Sequence, residues 1–102
     1  MIYSVTVAIQ RDAETEWLDW MTRVHVPEVV QTGCFTGSRI FRVVGNEAED
    51  PTYVLQYHCE SMAEYERYQQ NFAPALQKDH TDRFAGRFRA SRQLLEEIAP
   101  PQ

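Results

Sequence analysis

The fold of this chain is decided by Glu16–Gly37, which reads EWLDWMTRVHVPEVVQTGCFTG. Its apolar residues recur at spacings of three and four, the period of an α-helix, at Trp17, Met21 and Val24. Asp12, a few residues earlier, offers an N-cap for that helix. Pro27 either interrupts the helix or begins a fresh turn, and Gly33 ends it. The stretch therefore predicts one helix that is followed directly by a strand.

Outside this helix, the chain contains four segments that read as β-strands. The clearest is the first, in which apolar side chains alternate with small or polar ones at a period of two. The predicted strands are Ile2–Ile9, Cys34–Val44, Tyr53–Glu60 and Phe88–Leu95. The polar segment GNEAEDP between the second and third strands indicates a turn, so these two strands should form a hairpin.

A second helix is predicted after the third strand. Ser61 with Glu64 three residues later forms a capping box, which is a signature of a helix start. The apolar stripe of this helix is Tyr65, Tyr68, Phe72 and Leu76. Pro74 should kink the helix after Ala73. The last strand is followed by a Pro-rich tail at residues 100–102.

The order β-α-β-β-α-β predicts the α+β, ferredoxin-like fold, with a four-stranded antiparallel sheet and both helices on one face. The opposite sheet face would then carry Ile2, Ala8 and Val54, or their alternates, and is too apolar to face water. Two sheets packed face to face would bury it. We therefore expect a homodimer of the dimeric α/β-barrel type.

Length and composition set further bounds. A chain of 102 residues forms one domain, residues 1–102. Its net charge of −5 disfavours nucleic acid as a partner, and the basic run of Arg83, Arg87, Arg89 and Arg92 is interpreted as an exposed face. No signal peptide and no apolar run long enough for a membrane span is present, so we expect a cytoplasmic protein without a membrane partner. Cys34 and Cys59 should then be reduced thiols.

The motifs IYSVTV, HVPEVVQTG and GRFRASR resemble those of a small, uncharacterised bacterial domain-of-unknown-function family (4286). The resemblance covers nearly the whole chain. That family is similar to the dimeric α/β-barrel superfamily, which includes cofactor-free monooxygenases of antibiotic biosynthesis, haem-degrading enzymes and non-enzymatic ligand-sensing domains. The resemblance therefore implies the fold and a dimer, and it implies no particular activity.

Three histidines are the candidate polar groups of a site. In the predicted topology His25 lies at one end of the helix layer and His80 at the other, about 12 Å apart along the first helix, so we expect two separate polar spots. His25 is either a hydrogen-bonding group or general base in a pocket, or a cap on the helix end before Pro27. His80 should be ion-paired with its acidic neighbours. His58 should point toward the dimer interface or a sheet edge.

A pocket is predicted between the first helix and the sheet. Its candidate lining residues are Trp17, Met21, His25, Tyr57 and Tyr65, with His80 as a further candidate. The aromatic set that could contact a flat ligand also includes Trp20, Tyr68 and Phe72, although such a stripe usually forms core. The histidines and acidic residues lack the spacing of a zinc site, so neither a metal nor a cofactor is predicted.

Two functions follow from this set. The first is a dimeric binding or structural module without catalysis, which holds a small apolar or aromatic metabolite or no ligand. The alternative is a cofactor-free or haem-dependent monooxygenase-like enzyme that acts on an aromatic small molecule, with His25 or His80 as its polar group.

Overall fold

A computed structural model describes residues 1–99, and the Pro-rich tail at residues 100–102 lies outside the described residues. The elements in chain order are β1 (Ile2–Ile9), α1 (Glu14–Trp20), α2 (Val26–Gln31), β2 (Gly37–Arg42), β3 (Thr52–His58), α3 (Met62–Asn71), α4 (Ala73–Phe84) and β4 (Phe88–Leu95). A short 3₁₀ turn, Arg11–Ala13, precedes α1, and a π-helical segment, Met21–His25, joins α1 to α2. Among the described residues, no helix is long and apolar enough to cross a membrane.

The four strands form one antiparallel sheet in the order β2-β3-β1-β4. This is the ferredoxin-like arrangement, and the predicted fold class is confirmed. In the register, Tyr3 lies opposite Tyr57 and Val5 lies opposite both Leu55 and Arg92. These side chains therefore share one face of the sheet, and that face is covered by the helices.

A break at Pro27 was one of two expectations for the first helical region. The structure shows a continuous helical path through Pro27. Pro27 lies in the first turn of α2, where a missing N–H leaves no hydrogen bond unmade. The preceding π-helical segment absorbs the change in hydrogen-bond pattern. The N-cap prediction for Asp12 is wrong, because the cap residue of α1 is Ala13 and makes no side-chain cap. Gly33 ends the region as predicted, with a φ of 81°.

The second helical region follows the sequence prediction closely. The backbone N–H of Glu64 donates to Oγ of Ser61 at 3.2 Å, so the predicted N-cap is confirmed. The helix breaks at Phe72, whose φ of −126° is not helical, and Pro74 lies in the first turn of α4. The predicted kink at Ala73 is therefore a full boundary between α3 and α4.

The core lies between the helices and one sheet face. On the sheet side, it contains the buried Tyr3, Val7, Tyr53, Leu55 and Tyr57, and on the helix side Trp17, Met21, Val29, Tyr68 and Phe84. The other sheet face, which we call the open face, does carry Ile2, Ala8 and Val54, but polar residues such as Gln56 and Gln93 alternate with them. The open face is thus mixed rather than uniformly apolar.

Candidate functional site

A small cavity lies in the layer between the helices and the sheet. Its volume is about 40 Å³, which is room for about three water molecules. The wall is formed by Tyr3, Val5, Val7, Met21, His25, Val29, Leu55, Tyr57, Tyr68, Gln77, His80, Ala90 and Arg92. Arg92 is exposed and Gln77 is half-buried, whereas most of the wall is buried. The cavity therefore reaches solvent between α4 and β4.

Four of the residues predicted to line a pocket do line this cavity: Met21, His25, Tyr57 and His80. Two others do not. Trp17 lies behind the wall and contacts His80, and Tyr65 packs edge-on against Tyr3 at a ring distance of 5.5 Å. The cavity thus lies between the layers for which a pocket was predicted, and its opening lies at the second helical region.

Gln77 and Arg92 are wall residues that the sequence analysis missed. Arg92 was assigned to an exposed basic run, but in β4 it shares the helix-covered face with Ala90, two residues earlier. Gln77 lies on one helical stripe with Ala73, His80 and Phe84, at spacings of four, three and four. Both positions could have been found from the sequence, if the periods of the strand and the helix had been used to assign polar residues as well as apolar ones to the inward face.

The expectation that His25 and His80 occupy separate spots is wrong. Their ring centroids are 5.8 Å apart. The expectation placed each side chain at the level of its own backbone, whereas helix side chains lean toward the N-terminus and reach several ångströms. The π-helical segment also inserts extra backbone before His25, and its ring turns back onto Trp20 at 5.0 Å. Trp20 in turn contacts the ring of His80 at 5.9 Å.

His80 is held by a hydrogen bond and not by the ion pairs that we expected. The indole Nε1–H of Trp17 donates to Nε2 of His80 at 2.9 Å, and both groups are buried. Its acidic neighbours instead pair along the helix, Asp79 with Arg83 and Asp82 with Lys78. Because an indole N–H can only donate, Nε2 must be the unprotonated nitrogen, and the neutral ring carries its proton on Nδ1.

His25 does not cap a helix end, because the helical path continues past it to Gln31. Its Nδ1 atom is buried and has no hydrogen-bond partner among residues 1–99, and the same holds for Nε1 of Trp20. A buried polar atom without a partner carries a free-energy cost of about 1–3 kcal/mol. A ring that carries such an atom is a candidate partner for a ligand or water, and His25 is also a residue of the cavity wall.

Burial keeps both imidazoles uncharged at neutral pH. Desolvation lowers the pKa of His25 to about 4, with the charge of Arg92 acting in the same direction and that of Asp79 opposing it. Desolvation also lowers the pKa of His80 to about 4, with further lowering from His25 and Arg92. Two neutral rings in contact are stable together, whereas two charged rings would repel each other.

Three tyrosines contribute neutral hydroxyl groups to the wall. Desolvation is the main cause that raises the pKa of Tyr3, Tyr57 and Tyr68 above the ordinary value of 10.0. The wall includes no aspartate and no glutamate, so Arg92 supplies its one permanent charge. The cavity is therefore mostly apolar and aromatic, with a few hydrogen-bonding groups and a cation at its mouth.

Neither a metal nor haem fits this site. No group of three or more His, Cys, Asp or Glu that could hold a metal ion occurs within residues 1–99. A haem ligand would need a free imidazole nitrogen in a space as large as a porphyrin, and the cavity is far smaller. Nε2 of His80 is moreover occupied by Trp17. His58, the remaining histidine, is exposed on the open face and contacts Oγ1 of Thr36 at 2.7 Å.

Solved structures of low sequence identity share this fold. One is a protein of the ethyl tert-butyl ether d (ethd) family from Bacillus halodurans, with 11% identity and a TM-score of 0.66, which covers 94% of this chain and 99% of its own. A second is a monooxygenase of Streptomyces coelicolor in complex with nanaomycin D, with 10% identity, a TM-score of 0.58, and coverage of 99% and 92%. A third is a dimeric ferredoxin-like protein from an uncultured marine organism, with 18% identity, a TM-score of 0.52, and coverage of 95% and 97%. At these identities the likeness establishes the fold alone.

Comparison by sequence gives one further result. A family model described as Domain of unknown function (DUF4286) matches residues 1–98. No curated protein matches the chain.

Proposed function

Because this chain belongs to the DUF4286 family, whose description assigns no activity, we propose from the cavity itself that the protein binds a small organic molecule. The observation that supports this most directly is that His25, a residue of the cavity wall, carries a buried Nδ1 without a hydrogen-bond partner among residues 1–99. Ligand sites in proteins are typically apolar clefts with a few placed polar groups, and this wall has that composition. The ligand class is a small apolar or aromatic metabolite.

The pKa values favour binding over general-base catalysis. A general base works best when its pKa is near the working pH, and both imidazoles have a pKa of about 4. They accept or donate hydrogen bonds at neutral pH, but they are weak bases. The two rings therefore suit recognition of a polar group on the ligand.

A cavity-filling variant tests the binding proposal. Ala90→Leu adds three carbons to a half-buried wall position, whereas Ala75→Leu makes the same change on the exposed side of α4. We expect a panel of small aromatic metabolites, screened by thermal unfolding, to contain a ligand that stabilises the wild type and Ala75→Leu. At a concentration of 100 times Kd, that stabilisation is about 2.7 kcal/mol. Ala90→Leu should remove it, and equal binding by Ala90→Leu would contradict the proposal.

The monooxygenase-like alternative is supported by one observation, the shared fold with the Streptomyces coelicolor monooxygenase that binds nanaomycin D. A cofactor-free oxygenase would consume oxygen with a reduced aromatic substrate and lose that activity in His25→Ala. Oxygen uptake that is absent in the wild type would leave binding as the function.

The same proposal includes a homodimer joined through the open face. Phe41 and Leu95 lie on this face and are 45% and 38% exposed, and a solved structure with the same fold is described as dimeric. Phe41→Arg should give a monomer in light scattering, because it places a charge in the interface. The control is Val44→Arg, in the loop after β2, where the side chain is already 83% exposed. A wild-type chain that is monomeric at micromolar concentration would contradict this part.

The cellular location belongs to the proposal as well. Cys34 and Cys59 are free and buried, which suits the reducing cytoplasm.

A further inference from the structure

We propose that the ligand of the cavity is a small carboxylate, whose charged group is bound by Arg92 at the mouth while its short apolar part enters the cavity. This inference rests on the proposed function, and it specifies the chemical class of the ligand. It follows from the charges of the wall, from the hydrogen-bonding groups that lack partners, and from the size of the cavity.

Arg92 is the first observation. Other basic residues of the helical layer have acidic partners, such as Arg67 with Glu64, Lys78 with Asp82 and Arg83 with Asp79. No ion pair of Arg92 is found within residues 1–99. Arg92 is nevertheless part of the cavity wall, together with Tyr3, Tyr68 and both histidines. Asp79 also acts on the two wall histidines, but it is paired with Arg83 and is not part of the wall, so the cation of Arg92 still favours an anion.

The two imidazoles are the second observation. Trp17 occupies Nε2 of His80, so the neutral ring presents Nδ1 as a donor. The Nδ1 of His25 is buried without a partner, and the tautomer with its proton on Nδ1 makes it a second donor. A carboxylate has two oxygens with about four acceptor positions and no donor. It can therefore accept from the guanidinium and from the imidazoles at once.

Size separates a carboxylate from larger anions. The cavity has a volume of about 40 Å³, enough for a few heavy atoms. The planar fork of Arg92 matches the two oxygens of a carboxylate in a bidentate pair. The wall also includes the apolar side chains of Met21, Val29 and Leu55, which suit contact with a short hydrocarbon chain.

The experiment compares an acid with its neutral amide. The probes are butyrate and butyramide, together with acetate and acetamide as a smaller pair, and the readout is the NMR shift of the wall imidazoles and of the Trp17 indole. We expect at least one acid to bind about ten-fold tighter than its amide. Arg92→Gln should remove that preference, so that the acid binds no tighter than its amide.

Arg89→Gln is the matched control, because Arg89 lies on the same strand and faces the open face opposite Ala8. It should keep the preference for the acid. An amide that binds as tightly as its acid, or an equal loss in the two arginine variants, would overturn the carboxylate inference and leave the binding function intact. If no probe binds and Ala90→Leu behaves as the wild type with every ligand of the aromatic panel, both the inference and the proposed function are overturned.

Discussion

The burial of His80 and the partial burial of His25 should make the stability of this protein depend on pH between about 6.5 and 4. In the unfolded chain a histidine has a pKa of 6.5, whereas burial lowers the pKa of His25 and His80 to about 4 in the folded protein. The unfolded state therefore binds more protons in this range, and the free energy of unfolding falls as the pH falls. Above pH 6.5 the stabilisation of the neutral rings is complete.

The magnitude follows from the difference between the two pKa values of His80, which is 6% exposed. The pKa falls by about two and a half pH units, at about 1.4 kcal/mol for each, so the full effect is about 3 kcal/mol. Between pH 7.5 and pH 5.0 about 2 kcal/mol of this is lost. His25 adds a smaller amount because it is only half-buried. The groups facing the two rings are Asp79, which raises both pKa values, and Arg92, which lowers both.

The measurement is urea unfolding at pH 7.5 and pH 5.0 for the wild type and for His80→Gln. The amide oxygen of glutamine can still accept from the indole of Trp17, so the variant removes the titration and keeps an acceptor. We expect the wild type to lose about 2 kcal/mol or more on acidification and His80→Gln to lose about 2 kcal/mol less than the wild type. Arg67 lowers the pKa of Glu64 below its ordinary value of 4.5. The stability that this carboxylate contributes is therefore lost only at pH values below this experiment's range.

His58→Gln is the control for this experiment, because it removes an exposed imidazole from the other side of the sheet. Its pH dependence should equal that of the wild type. A wild-type stability that stays constant between pH 7.5 and 5.0 would refute the reasoning that burial holds the two rings neutral. An identical decrease in His80→Gln would refute the assignment to His80.

Three further predictions concern single contacts. Trp17→Phe leaves Nε2 of His80 buried without its donor and should lower the free energy of unfolding by about 1–3 kcal/mol in urea. Ser61→Ala removes the N-cap of α3 and should cost about 1 kcal/mol, with thermal unfolding as the measurement. Gly33→Ala places a Cβ at a φ of 81° and should lower the free energy of unfolding by about 1–2 kcal/mol. Gly37→Ala is the control and should lower it less, because Gly37 has open space around it and no positive φ. Equal losses in the two variants would contradict the backbone argument.

The candidate site was predictable in part. Met21 and His25 were assigned to the inward face by their spacing of four along the helix, and both line the cavity. Trp17 was assigned to the same wall for the same reason, yet its indole extends past the cavity to His80. Periodicity indicates from which face of its helix a side chain projects. It does not indicate how far a large ring reaches, or which ring from the other helical region it meets.

Local sequence patterns were enough to predict the helices and strands, their order and several of their ends. The capping pair at Ser61, the positive φ at Gly33 and the boundary near Pro74 depend on hydrogen bonds and sterics within a few residues, so they can be read locally. The contact between His25 and His80, and the position of Arg92 at the mouth, were decided only by the tertiary structure. Both depend on how the two helical regions and the edge strand β4, which are far apart in the sequence, pack against each other. The contact of His25 also depends on the π-helical segment that precedes its ring. No local pattern encodes that packing, because it results from the fit of all the buried side chains together.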